Sequence, residues 1–165
     1  MTSTLIQPPE HLAHLNFRSA TNQDREHVAN LIFGVLLEFG LTPSPDSTDA
    51  DLKDIETNYL TRGGLFELIE DRGRLIGTVG LYPIDEGVCE LRKMYLLPEA
   101  RGTGLGKYLL ERTVDQARHL GFRKIELETS SKLVAAIQLY RRFGFSATRL
   151  AHPSPRADQA YALDL

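Results

Sequence analysis

Cysteine is almost absent from this 165-residue chain, Cys89 being the single one. One thiol excludes an internal disulfide and a thiolate zinc cluster, and it points to a reducing compartment, here the cytoplasm. Cys89 itself reads as a small packed hydrophobe. Long apolar runs are also missing. The longest, Leu31 to Leu37, falls well short of the roughly 18–20 residues that span a bilayer, so no membrane anchor is expected. Nor does a basic start followed by an apolar run open the chain, so Met1 to Glu10 does not read as a secretory signal. An excess of positive charge is lacking as well. The 19 Lys and Arg against 22 Asp and Glu give a formal charge of −3, without the broad basic footprint of a nucleic-acid or anionic-membrane binder. The five histidines, at 11, 14, 27, 119 and 152, show no ligand spacing, so no metal is expected and each reads as a surface residue.

What remains is an ordinary globular composition, 42% hydrophobic and 25% charged, of a length that suits one domain. Residues 1–14 are expected to form a flexible tail and 15–165 the domain. Asn16 to Ala20 is a short strand candidate, and Thr21 or Asn22 can cap the helix that follows. Val28, Leu31, Ile32, Val35, Leu36 and Phe39 then mark one helical face that ends near Gly40. Two prolines make 41–48 a loop, and 49–60 reads as a polar helix stopped by Gly63 and Gly64. Segments 65–69 and 75–82 flank a turn at Asp71 to Gly73 and read as a hairpin. Val88 to Leu97 adds a third strand before Pro98.

The pattern then changes to a glycine loop, a helix over 105–120, a stop at Gly121, a strand over 124–129 and a helix over 133–143. The expected fold is therefore mixed α/β: an antiparallel meander running into a β-α-β-α unit whose two main strands are parallel, joined by a right-handed crossover.

The glycine loop, Arg101-Gly102-Thr103-Gly104-Leu105-Gly106-Lys107, sits between a strand and a helix, where unpaired N–H groups and the helix dipole favour an anion. It is not a Walker loop, because Arg101 stands where that motif needs Gly and Tyr108 follows the lysine. It is not a dinucleotide fingerprint either, because Lys107 fills the last glycine slot. It resembles the acetyl-CoA loop of the GNAT superfamily of N-acetyltransferases, whose Gln/Arg-x-x-Gly-x-Gly/Ala pattern matches Arg101, Gly104 and Gly106. The resemblance extends over Glu90 to Lys107, ELRKMYLLPEARGTGLGK, and returns at 136–145 in a closing A-x-x-L-Y-x-x-x-G-F element. In element order it covers about residues 17–146.

This resemblance implies that strands 90–97 and 124–129 splay at their carboxyl ends and admit acetyl-CoA between them. Met94, Tyr95 and Leu96 would pair with the pantetheine through their backbone, and Arg101 to Lys107 would hold the pyrophosphate by N–H groups, with Arg101 and Lys107 as nearby cations. Tyr140 matches the general-acid tyrosine and, one turn past Ala136 and Ile137, faces inward. Glu90 stands where several members carry a base. Its strand face is expected to include Arg92, Met94 and Leu96, and an Arg92 neighbour makes a structural ion pair the alternative role. Where the family often has Asn, this chain has Leu133, with Ser130 or Ser131 as a substitute or as a helix cap.

The implied activity is acetyl transfer to a primary amine, small or amino-acid-like. The acceptor class rests on an acidic run, Glu38, Asp46, Asp49, Asp51, Asp54 and Glu56, in a region that commonly walls the acceptor site. Protein lysines or N-termini are the other acceptor class, and a noncatalytic acyl-CoA-binding regulatory module is the reading of a different kind. No metal, nucleic acid or membrane partner is expected, and a homodimer stays open.

Overall fold

A computed structural model describes residues 4–150 and 154–165. Its strands are β1 (Asn16–Ser19), β2 (Leu65–Asp71), β3 (Arg74–Asp85), β4 (Val88–Leu96), β5 (Lys124–Thr129), β6 (Ser146–Thr148) and β7 (Gln159–Asp164), and its α-helices are α1 (Arg25–Glu38), α2 (Leu105–His119) and α3 (Val134–Phe143). The strands form one sheet in the order β1-β2-β3-β4-β5-β7-β6. Every neighbouring pair is antiparallel except β4 and β5. The expected mixed α/β architecture is thus present, with the antiparallel meander leading into the parallel unit.

Local chemistry sets most boundaries. Thr21 and Asp24 form a capping box ahead of α1, satisfying N–H groups that the first turn leaves free. The β2–β3 hairpin turns on Arg72 and Gly73, both at positive φ (51° and 81°), the backbone that a two-residue turn between twisted strands demands. Gly121 (φ 89°) and Gly144 (φ 118°) end α2 and α3 in left-handed geometry.

The core lies on both sides of the sheet. Val28, Leu31, Ile32, Val35 and Leu36 of α1 pack with Tyr59, Phe66 and Leu68. Leu105, Leu109, Leu110 and Val114 of α2 pack with Val79, Leu81, Leu91 and Ile125, and Ile137 and Tyr140 of α3 join them. Cys89 is buried there as expected, and burial pushes its thiol up to about 12.

One local expectation is corrected. The polar helix over 49–60 is split into a 3₁₀ turn, Ala50–Lys53, and a π turn, Glu56–Leu60. Asp54 breaks it: its backbone is extended (φ −145°), and its carboxylate accepts from the Thr57 N–H at 3.0 Å, a local bond that competes with helical pairing. The chain end adds β6 and β7, with β7 inserted between β5 and β6. Ahead of β1, a turn at Glu10–Leu12 buries Leu12.

One carboxylate ties several segments together. Asp49 is fully buried, accepts two hydrogen bonds from Arg156 at 2.7 and 2.8 Å, and pairs with Lys93. Burial alone would raise its pKa, but the bonds from Arg156 and the Lys93 charge win and hold the carboxyl well below the usual range. On the surface, Arg18 likewise lowers Asp24 to about 2. Groups depressed on folding stabilise the fold fully above the unfolded carboxylate pKa of about 4 and lose that contribution as pH falls. Asp49→Asn removes the carboxylate charge that buried Lys93 and half-buried Arg156 share, leaving Lys93 only Asp51 at 3.5 Å, and is expected to cost about 3 kcal/mol at neutral pH. Urea unfolding followed from pH 7 to pH 2 checks both points, since the variant should show a shallower acid limb than the wild type.

Candidate active site

The pairing of β4 with β5 stops early. It runs from Val88↔Lys124 to Glu90↔Glu126, after which the two strands diverge. A bulge in β4 accompanies the divergence: Thr78 faces Tyr95 while Gly80 faces Arg92, so the extra residue falls at Lys93 and Met94. Lys93 adopts φ 55°, a conformation that costs a non-glycine residue roughly 1–2 kcal/mol. Its ammonium is held by Asp49 and by the Thr48 carbonyl at 3.4 Å, which offsets that strain.

The bulge corrects one expectation about faces. Glu90 and Arg92 do share a side, joined by bonds of 2.9 and 3.3 Å. Past Lys93 the alternation flips, so Met94 and Leu96 pack with the α2-side core and Tyr95 with the α1 side. A bulge inserts one residue and thereby exchanges the faces of everything that follows.

The divergence opens a cavity of about 930 Å³. It brings together Glu90, Met94, Tyr95, Leu96, Arg101, Gly102, Gly106 and Tyr140, all candidates on sequence grounds, and adds Arg92, Glu128, Ser130, Leu133 and Arg156. The other candidates, Thr103, Gly104, Leu105 and Lys107, lie in the loop and the first turn of α2 without lining it. Leu133 borders the cavity in the position noted above, as does Ser130, whose hydroxyl accepts from the Lys132 N–H at 3.2 Å. Ser131 is bonded to Asp158. Neither serine caps α3, whose first turn has no side-chain cap.

Backbone groups dominate the loop. Gly102 and Gly104 have φ of 73° and 86°. No N–H of Gly102, Thr103, Gly104, Gly106 or Lys107 donates to a loop or cap acceptor among the described residues. At Gly106 a Cβ would meet nothing nearer than Leu139 at 3.7 Å and Leu96 at 3.8 Å. Packing inside the chain therefore tolerates a Cβ there in ordinary contact, and a cradle bordered by bare backbone fits a phosphate-bearing ligand such as acetyl-CoA. The cations do less than their position suggests. Arg101 gives its guanidinium to the Leu96 carbonyl (3.1 and 2.9 Å) and to Glu38 (3.0 Å for one contact), and Lys107 is exposed, 4.0 Å from Glu111.

Tyr140 is buried on the inner face of α3, its ring 5.7 Å from that of Phe145. Burial, and then the nearby Tyr95 phenol, pushes its pKa above the ordinary phenol value, so the hydroxyl stays protonated and able to donate. Burial also pushes Tyr95 up to about 12. Tyr95, which sequence reading took only for its backbone, also lines the cavity, and the unread bulge places its side chain on the α1 side.

The acidic run does not form an open acidic wall. Asp46 pairs with Lys53, Asp51 accepts from Tyr59, Asp54 accepts from Asn22 and the Thr57 N–H, and Glu56 accepts from the Asn22 N–H at 2.8 Å. Glu38 and Asp49 are engaged as described. Glu90 and Glu128 are the carboxylates that line the cavity, beside Arg92, Lys93 and Arg156. Of the histidines, 11, 14, 27 and 119 are exposed as expected, and His152 lies outside the described residues.

Comparison with known proteins agrees with this geometry. Residues 33–145 match the model of the acetyltransferase (GNAT) family. A protein of Escherichia coli (strain K12) described as the uncharacterized N-acetyltransferase YjgM is 38% identical over 133 residues, which is 78% of this chain and 80% of that protein. A crystal structure of a GNAT-family acetyltransferase from Staphylococcus aureus Mu50 superposes with a TM-score of 0.85 at 25% identity, covering 91% of this chain and 98% of that one. The fold is also that of yncA, a putative acetyltransferase of Salmonella typhimurium solved with acetyl-CoA (TM-score 0.71, 21% identity, 92% and 94% covered).

Proposed function

Since the chain belongs to the acetyltransferase (GNAT) family, we propose that it moves the acetyl group of acetyl-CoA to the primary amine of a small, amino-acid-like acceptor by direct transfer. The observation that carries the reading is the single cavity in which the glycine loop, the unpaired end of β4, Glu90 and Tyr140 meet. Acetyl-CoA, as cosubstrate, supplies an activated acetyl thioester. The backbone of Met94 and Tyr95, beyond the last pair that β4 makes with β5, suits the amides of an extended arm, while the Leu96 carbonyl is held by Arg101. The N–H groups of 102–107 suit its pyrophosphate.

An amine attacks only when neutral. Glu90 accepts the ammonium proton, directly or through water, and Tyr140 donates the phenolic proton to the departing sulfur. Glu90 and Glu128 line the cavity with Arg92 and Arg156, but Arg92 is paired with Glu90 and Arg156 with Asp49, so the acceptor class is decided by the amine panel below.

Glu90→Gln is expected to lower turnover most at the acid end of the profile, where the amine is least often already neutral. A variant with wild-type rates across pH leaves Glu90 as the partner of Arg92 alone. The reading as a whole is tested by incubating the protein with acetyl-CoA and a panel of amines, amino acids and lysine peptides, and following free thiol. Faster release with amino acids supports the acceptor class, and faster release with peptides replaces it with a protein acceptor.

A further inference from the structure

The segment ahead of β1 reaches the glycine loop. It is fastened by the Tyr108 hydroxyl, which donates to the Ile6 carbonyl at 3.0 Å, and by Leu12, which is buried in the core. Between these points His11 Nε2 lies 2.7 Å from the Thr103 carbonyl. A carbonyl oxygen can only accept, so Nε2 carries the proton and His11 is the donor.

Thr103 stands between two left-handed glycines, Gly102 and Gly104, and its hydroxyl donates to the Ala100 carbonyl at 2.9 Å. Its carbonyl oxygen precedes the helical hydrogen-bond ladder, which begins at Tyr108 N–H to Gly104 O. Without His11 that oxygen has no partner among the described residues, and two flexible glycines leave its peptide free to rotate. The Thr103–Gly104 peptide is planar and trans, so its carbonyl and the Gly104 N–H point in opposite directions. Holding the oxygen on His11 thus fixes the direction of the Gly104 N–H in the loop that presents N–H groups to the ligand.

We propose that His11 is a positioning residue for cofactor binding: by donating to Thr103 it preorganises the pyrophosphate loop, and the segment over 6–12 is the strap that carries it there. This rests on the reading of 101–107 as the acetyl-CoA loop. A loop ordered before binding loses less entropy on binding, so the contribution appears in cofactor affinity.

The test is calorimetric titration of the full chain with CoA. His11→Leu keeps bulk without a donor, and His11→Gln replaces the ring N–H with an amide N–H of similar reach. His11→Leu is expected to weaken CoA binding about 5- to 10-fold with an unchanged ligand-free melting temperature, and His11→Gln to stay within about 2-fold of the wild type, the range one neutral hydrogen bond spans. Equal affinity of His11→Leu and wild type overturns the inference. So does a loss of affinity that comes with a lower ligand-free melting temperature and is not restored by glutamine, because the role is then structural only. A wild type that fails to bind CoA overturns the cofactor reading itself, and the inference with it.

Discussion

Replacing Tyr140 with phenylalanine is expected to slow acetyl transfer by about 10²- to 10⁴-fold, the usual worth of a positioned general acid. The ring stays, and so does nearly all of its buried apolar area beside Phe145, so the melting temperature should change little. Cofactor affinity should change by less than about 1.5 kcal/mol, the upper range for one neutral hydrogen bond. Tyr95 supplies the comparison. Its phenol lines the same cavity and is electrostatically coupled to that of Tyr140, so Tyr95→Phe should leave most of the rate if Tyr140 is the acid. A larger loss in Tyr95→Phe than in Tyr140→Phe would move the proton donor from α3 to β4. Stopped-flow single turnovers at saturating acetyl-CoA isolate the chemical step from product release in both variants.

The second large effect is expected at Gly106. Valine there has room, because the nearest atoms to its Cβ are 3.7 and 3.8 Å away. Gly106 lies inside α2, where valine is a slightly better helix former than glycine. The ligand-free fold should therefore be as stable as the wild type or a little more so. The added methyl groups occupy the cradle that the loop backbone leaves bare, and CoA affinity should fall roughly 100-fold or more, about 2.8 kcal/mol at 1.4 kcal/mol per decade. Calorimetry with CoA reads this directly. Unchanged affinity in a well-folded Gly106→Val would detach the loop from the cofactor.

The same residues show what a sequence can carry. α1 is legible because six apolar positions, Val28 to Phe39, repeat at helical spacing and Thr21 or Asn22 offers a cap before them. The loop is legible because Arg101, Gly104 and Gly106 resemble the acetyl-CoA loop pattern and a second element at 136–145 resembles the same family's. The bulge at Lys93 is not legible, since a lysine carries no preference for positive φ and its stabilising partner, Asp49, lies 44 residues away. Missing the bulge misassigned the faces of Met94 and Leu96, and the Tyr95 side chain went unread. The acidic run misled for a related reason: charge counts do not reveal which carboxylates find partners within the fold. β7 escaped because a six-residue strand inserted between β5 and β6 is fixed by long-range pairing, whereas its own short sequence offers little alternation. His11 was read as a surface residue and is indeed exposed, but exposure says nothing about a bond to a loop 92 residues on.

The most direct test of the account is a paired time course in which wild-type protein is mixed with acetyl-CoA, with and without an amino-acid acceptor, and both free CoA thiol and acetylated amine are quantified. Transfer in the cleft between β4 and β5 predicts thiol release that depends on the amine and matches the acetylated product mole for mole. Thiol released at the same rate without amine, or none released by a protein that binds CoA, would contradict it.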